Sequence, residues 1–94
     1  MPIQRADVLA QRQQIREIAT KHGAEHPRLF GSVARDEATI VSDIDILVTM
    51  TMRRSSWFPI GLQRDLEELL HVPVQVVTDR TAFAWTVEKD AIPL

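Results

Sequence analysis

A chain of 94 residues with 45% hydrophobic and 26% charged residues has the composition of one globular domain: too apolar to be disordered, and too short to leave much apolar area to spare. Its formal net charge of -2 gives no electrostatic case for nucleic acid, which asks for a basic surplus or a concentrated basic patch, so no direct nucleic-acid contact is expected. The absence of cysteine excludes disulfides, thiolate nucleophiles and zinc–thiolate sites.

Residues 6–22 read as a helix. Val8, Ile15, Ile18, Ala19 and His22 fall near one face, Asp7 suits the first turn, and Gly23 is placed to end it. Ala-Glu-His-Pro then leads into a short strand expected over 28–30. Gly31-Ser32 breaks that strand, residues 33–38 have the composition of a short helix, and 39–42 form a loop. Residues 43–49 make the clearest strand, with Ile44, Ile46 and Val48 on one face and Asp43, Asp45, Leu47 and Thr49 on the other.

Residues 50–56, including the adjacent pair Arg53-Arg54, are polar enough to be an exposed loop. Ser56 can cap a second long helix with Pro59 in its first turn and Phe58, Leu62, Leu66, Leu69 and Leu70 along its apolar face; Gly61 weakens its start. Pro73 ends this element and 74–78 form another strand. Asp79 caps a last helical turn over 81–87, and 90–94 are expected to be a loose tail or a partner contact. The order α-β-α-β-α-β-α gives a single α/β (α+β) domain over 1–94, with a small mixed sheet covered by helices. The first residues carry no apolar signal core and no segment is long enough to span a bilayer, so no membrane contact and a cytoplasmic location are expected.

Two carboxylates on an apolar strand are costly to bury alone, so such groups pair, hydrogen-bond or hold a metal. Residues i and i+2 of a strand share a face, which brings Asp43 and Asp45 together with Cα atoms about 7 Å apart. Two such oxygen ligands can share one hard cation or flank two, and open coordination positions suit Mg2+ or Mn2+, which keep waters and accept phosphates. Gly31-Ser32 offers the complementary half. Glycine lets backbone approach a ligand, the following helix start presents N–H groups to an anion, the Ser32 hydroxyl adds a donor, and Arg35 can neutralise a phosphate. The implied ligand is a nucleoside triphosphate with its metal. Asp-x-Asp or Gly-Ser alone is common at turns and strand ends; their joint occurrence, flanked by Leu-Phe and Ile-Leu-Val, carries the weight.

Phe30-Gly31-Ser32-Val33-Ala34-Arg35 followed by Ser42-Asp43-Ile44-Asp45 resembles the Gly-Ser-x10-Asp-x-Asp signature of the DNA polymerase β-like nucleotidyltransferases, and the chain's size and layout resemble their minimal, MNT-type, branch. The resemblance implies a polymerase β palm-like fold and nucleotidyl transfer from ATP. Gly31 and Ser32 would hold the phosphates, and Asp43 and Asp45 would be the catalytic Mg2+ ligands. It also implies an antitoxin paired with a HEPN-type ribonuclease toxin, silenced by AMP attached to a tyrosine. This chain contains no tyrosine, so such an acceptor belongs to another chain, and a chain of this size leaves its presentation largely to the partner.

The sequence departs from the pattern at one position. The resemblance implies a third carboxylate on the strand after the second long helix, but Val74-Gln75-Val76-Val77 carries Gln75 there. Its carbonyl can touch a metal, yet it adds no charge and takes no proton, and in two-metal transfer that position serves the metal that activates the attacking oxygen. Asp79 shares its strand parity but lies about 13 Å further on and reads better as a helix cap; Glu37 reads as solvent-facing. An alternative is therefore a nucleotide- and partner-binding module that neutralises its partner by masking. His22, His26 and His71 read as boundary or surface residues, and Trp57 and Trp85 as core or interface anchors, with Trp85 the better partner contact. Small size and open sheet edges leave room for homo- or hetero-oligomers.

Overall fold

Ile44, Ile46 and Val48 alternate with Asp45, Leu47 and Thr49, and that period of two makes the segment a strand with one face for the main core. In the computed structural model, which describes residues 4–35, 37, 43–50, 60–78 and 91–94, this strand is β2 (Ile44–Met50), and its three alternating aliphatics are fully buried. Around it the described elements are α1 (Arg5–Ala10), α2 (Arg12–Lys21), β1 (Ala24–Phe30), α3 (Gly31–Ala34), α4 (Ile60–Leu70), β3 (Val74–Thr78) and β4 (Ile92–Pro93). The strands form a mixed sheet in the order β3-β2-β1-β4, with β2 and β3 parallel and β1 antiparallel to both β2 and β4. The chain thus adopts the expected α/β class.

Helical faces bury as their spacing requires. Val8 of α1, Ile15 and Ala19 of α2, and Leu62, Leu66 and Leu70 of α4 join Leu29, Ile44, Ile46, Val48, Val74 and Val76 in one core. The expected single helix over 6–22 is two helices, broken at Gln11, whose backbone (φ -110°, ψ 19°) leaves the helical region. Neither glycine nor proline marks the break, so periodicity carried no sign of it. Gly23 ends α2 as expected: at φ 76° it takes the left-handed backbone, and its N–H donates to the Thr20 carbonyl at 3.0 Å. Gly61, a weakness when its helix is considered alone, has a packing reason, since a Cβ there would come within 3.1 Å of His22 Cε1.

Two expectations about β1 and the last residues are corrected. β1 begins at Ala24, four residues before the expected start, and accommodates Pro27 through a register shift between Glu25 and Arg28, with His26 at φ 56°. At such an irregularity a missing N–H costs little. Arg28, only 4% exposed, braces the shift: its Nε donates to the His26 carbonyl at 3.0 Å and its Nη2 to Thr49 Oγ1 at 2.9 Å. The described part of the expected tail is instead built in. Ile92 and Pro93 pair with Leu29 and Arg28, the Leu94 N–H donates to the Pro27 carbonyl at 2.9 Å, Arg16 Nε donates to the Leu94 carbonyl at 2.6 Å, and the Leu94 side chain is buried in the core. Apolar burial and an otherwise unpaired edge of β1 outweigh the freedom of the segment.

Ser42, Arg53-Arg54, Ser56, Trp57, Phe58, Pro59, Asp79, the helical turn over 81–87 and Trp85 lie outside the described residues. On the sheet face opposite the helices, Phe30 and Leu47 form a smaller cluster with Val77 and Ala91.

Candidate functional site

The alternation that sends Ile44 and Ile46 to the helices turns Asp45 to the opposite face, at the start of β2. Its register partner in antiparallel β1 is Phe30, and its partner in parallel β3 is Gln75. β1 therefore ends beside Asp45, and the next residue, Gly31, begins the turn into α3.

Gly31 meets two requirements that only glycine satisfies. Its φ of 78° lies in the left-handed region. A Cβ built on it would clash with Asp45 Oδ2 and stand 3.1 Å from Asp45 Cγ. Backbone and carboxylate are thus in direct apposition. The short helix begins at Gly31 rather than at the expected 33 and ends at Ala34, so Gly31 and Ser32 are its first turn rather than the loop before it. Buried Val33 and Ala34 fasten this turn to the core, the Arg35 N–H donates to the Gly31 carbonyl at 3.2 Å, and the Glu37 N–H donates to the Ser32 carbonyl at 2.8 Å. From α1, Arg5 Nη1 donates to the Ala34 carbonyl at 3.3 Å and braces the same turn.

Asp43 is exposed just before β2, and Asp45 is half-buried. Burial raises the Asp45 carboxyl above its ordinary value of 3.8, the negative charge of Asp43 raises it further, and Arg35 opposes both. Two carboxylates in that relation call for a cation. Arg35 acts on Asp45 by its charge, while its Nε donates to Glu37 Oε2 at 3.2 Å in an exposed pair; Glu37 faces solvent as expected. Gln75, also exposed, is carried to the side of Asp45 by the β2–β3 register, the place where a third carboxylate was expected.

Gly31, Asp45 and Gln75 are therefore brought together, Asp43 lies within electrostatic reach of Asp45, and Ser32 is held in the turn next to Gly31. Among the described residues no group of three or more His, Asp or Glu side chains gathers in metal-binding fashion, so the donor set is two carboxylates with an amide oxygen beside them. Hard oxygen donors, few in number and open to further ligands, fit Mg2+ or Mn2+ completed by water and phosphate oxygens.

One polar pair escaped the sequence. His22, expected at a boundary, lies with its Nε2 2.7 Å from Asp65 Oδ2, tying α2 to α4. That hydrogen bond, chiefly, holds the Asp65 carboxyl below its ordinary value. No local signal announces a pair separated by 43 positions. His26 and His71 are exposed at left-handed bends, φ 56° and 61°.

The sequence profile of the nucleotidyltransferase domain matches residues 12–92, from α2 to the start of β4. A protein of Methanocaldococcus jannaschii, named as a proposed protein adenylyltransferase, is 43% identical over 61 residues, spanning 65% of this chain and 66% of that protein. A second from the same organism, named in the same way, is 36% identical over 63 residues, 67% of this chain and 64% of its own length. The matched stretch thus falls just short of two thirds of either relative. A solved structure described as a minimal nucleotidyltransferase superposes with a TM-score of 0.84 at 36% identity, covering 98% of this chain and 97% of that one.

Proposed function

The chain belongs to the nucleotidyltransferase domain family and has the fold of a minimal nucleotidyltransferase, and from that premise we propose that it transfers AMP from ATP, with Mg2+, to a HEPN-type toxin partner and so acts as that toxin's antitoxin. The observation that carries this reading is the seating of Gly31 against Asp45, which puts a partly exposed backbone turn and a half-buried carboxylate at one point. The names of the two archaeal relatives support a protein as the acceptor.

In this reading Asp43 and Asp45 hold Mg2+, with Gln75 contributing at most its amide oxygen. The Gly31–Ser32 turn and the Ser32 hydroxyl hold the triphosphate, and Arg35 exchanges Glu37 for a phosphate or for the partner. Bound Mg2+ would neutralise phosphate charge and polarise the phosphorus under attack. The acceptor hydroxyl oxygen forms a bond to the α-phosphorus, the bond to pyrophosphate breaks, and the hydroxyl proton is released. The acceptor comes from the partner, which fits a chain with no tyrosine. Among the described residues no helix is long and apolar enough to cross a membrane, and we place the reaction in the cytoplasm, where its nucleotide is found.

Gln75 favours a second reading. A neutral amide beside Asp45 adds no charge for a second metal, which suits a module that binds nucleotide and partner but neutralises the partner by masking. Intact-mass measurement of the HEPN-type partner after incubation with this protein, ATP and Mg2+ separates the two. An AMP adduct that disappears with Asp43→Ala supports transfer; no adduct with wild type but one with Gln75→Asp supports masking; no Mg-ATP binding and no partner complex defeats both.

A further inference from the structure

β3 has a strand neighbour on one side only among the described residues, and its sequence, Val-Gln-Val-Val-Thr, is uncharged and strongly strand-forming. Such an edge invites a second copy of the chain to add a strand. The direction of its backbone groups follows from one bond: the Ile44 N–H of β2 donates to the Pro73 carbonyl at 3.0 Å, so position 73 faces β2. Positions 75 and 77 face the same way, and Val74, Val76 and Thr78 turn their N–H groups outward.

The first two of these outward N–H groups are engaged by α4. Val74 N–H donates to Glu67 Oε2 at 2.9 Å, and Val76 N–H donates to Gln63 Oε1 at 2.9 Å, both partly buried. The match is metric as well as chemical. Four residues of helix advance about 6 Å, and two residues of strand advance about 6.6 Å, so one turn of α4, running against β3, delivers an acceptor to each of the two donors at 74 and 76. Gln and Glu carry the longest side chains able to bring a carbonyl or carboxylate oxygen to a backbone N–H.

We propose that Gln63 and Glu67, by holding the outward N–H groups of Val74 and Val76, close the first part of the outer edge of β3 to strand addition by a second copy of this chain. An incoming strand must exchange both N–H and C=O groups with the edge, and it finds the donors at 74 and 76 already engaged. Strand-paired self-association through β3 is thereby blocked, and contacts with other chains are directed to other surfaces. The inference rests on the fold alone and does not depend on the proposed transfer activity.

The test compares wild type, Gln63→Ala/Glu67→Ala, and the acceptor-retaining Gln63→Glu/Glu67→Gln, by light scattering over a concentration series and by amide exchange at Val74 and Val76. In the alanine pair these two amides should exchange about tenfold faster at low concentration. The mass should then rise above that of wild type with concentration, and protection at 74 and 76 should return as it does. The acceptor-retaining pair should behave as wild type. The proposal is overturned by a folded alanine pair whose Val74 and Val76 amides stay as protected as in wild type, or whose exposed amides bring no change in mass at any concentration. If the double variant does not fold, each single alanine variant is held to the same two criteria.

Discussion

Gly31 and Asp45 are in contact at the end of β1, with the glycine α-carbon so close to the carboxylate that no side chain fits between them. The relation joins the two halves of the proposed site, a backbone turn for phosphate and an acid for metal, through a residue that must be glycine on conformational grounds as well.

Gly31→Ala should therefore fail twice. The left-handed backbone alone costs an L-residue about 1–2 kcal/mol, and the added methyl must displace the Asp45 carboxylate. Urea denaturation should show at least that loss of stability, and Mg-ATP binding should be abolished. A variant with unchanged stability and affinity would contradict the geometry.

Asp45→Asn should separate stability from function. The Asp45 carboxyl is raised by burial first and by Asp43 second. The sign follows: a raised group contributes stability in acid, below its ordinary value of 3.8, and that contribution is lost as pH rises through the raised value. At neutral pH the ionised carboxylate therefore works against the metal-free fold. The neutral variant should melt a few degrees higher than wild type without metal, and Mg2+ with ATP should raise the melting temperature of wild type only. A lower melting point for the metal-free variant would show that Asp45 is not held against its preference.

The His22–Asp65 pair predicts the opposite acid behaviour. Asp65 is lowered, chiefly by its hydrogen bond to His22, so its contribution is present above its ordinary value of 3.8 and is lost as pH falls through the depressed value. Asp65→Asn should cost about 0.5–1 kcal/mol near neutrality, as befits a partly exposed pair. Urea unfolding of wild type and variant, carried down through the acid range, should show the gap closing. A gap that persists to the lowest pH would mean that the charge of Asp65 contributes nothing.

Gln75→Asp places a third carboxylate next to Asp45, its partner in the β2–β3 register. The change should destabilise the metal-free protein by added repulsion, tighten Mg2+ binding and raise the yield of AMP adduct on the partner. Thermal melts with and without Mg2+ read the first two effects, and partner intact mass the third. No gain in metal affinity would remove Gln75 from the site.

Much of this was legible locally. The period of two in β2, the apolar faces of α2 and α4, and the strand at Val74 are properties of a few neighbouring residues, and the fold followed them. So was the pairing of the Gly-Ser turn with the Asp pair, although the start of the turn's helix at Gly31 was not. What local patterns could not carry were decisions made across the chain. β1 starts early because Arg28 can brace its irregularity onto Thr49, 21 positions away, and residues 92–94 dock because β1 offers an edge and the core accepts Leu94. Gly61 looked like a flaw in its helix until His22 was packed against it.

The most direct test of the central claim is a calorimetric titration of ATP into wild type and Asp43→Ala, each with and without Mg2+. Binding by wild type that requires Mg2+ and is lost in a folded Asp43→Ala variant is the predicted result. Absence of binding by wild type, or binding that the variant retains undiminished, would contradict the assignment of Gly31, Ser32, Asp43 and Asp45 to a metal–nucleotide site.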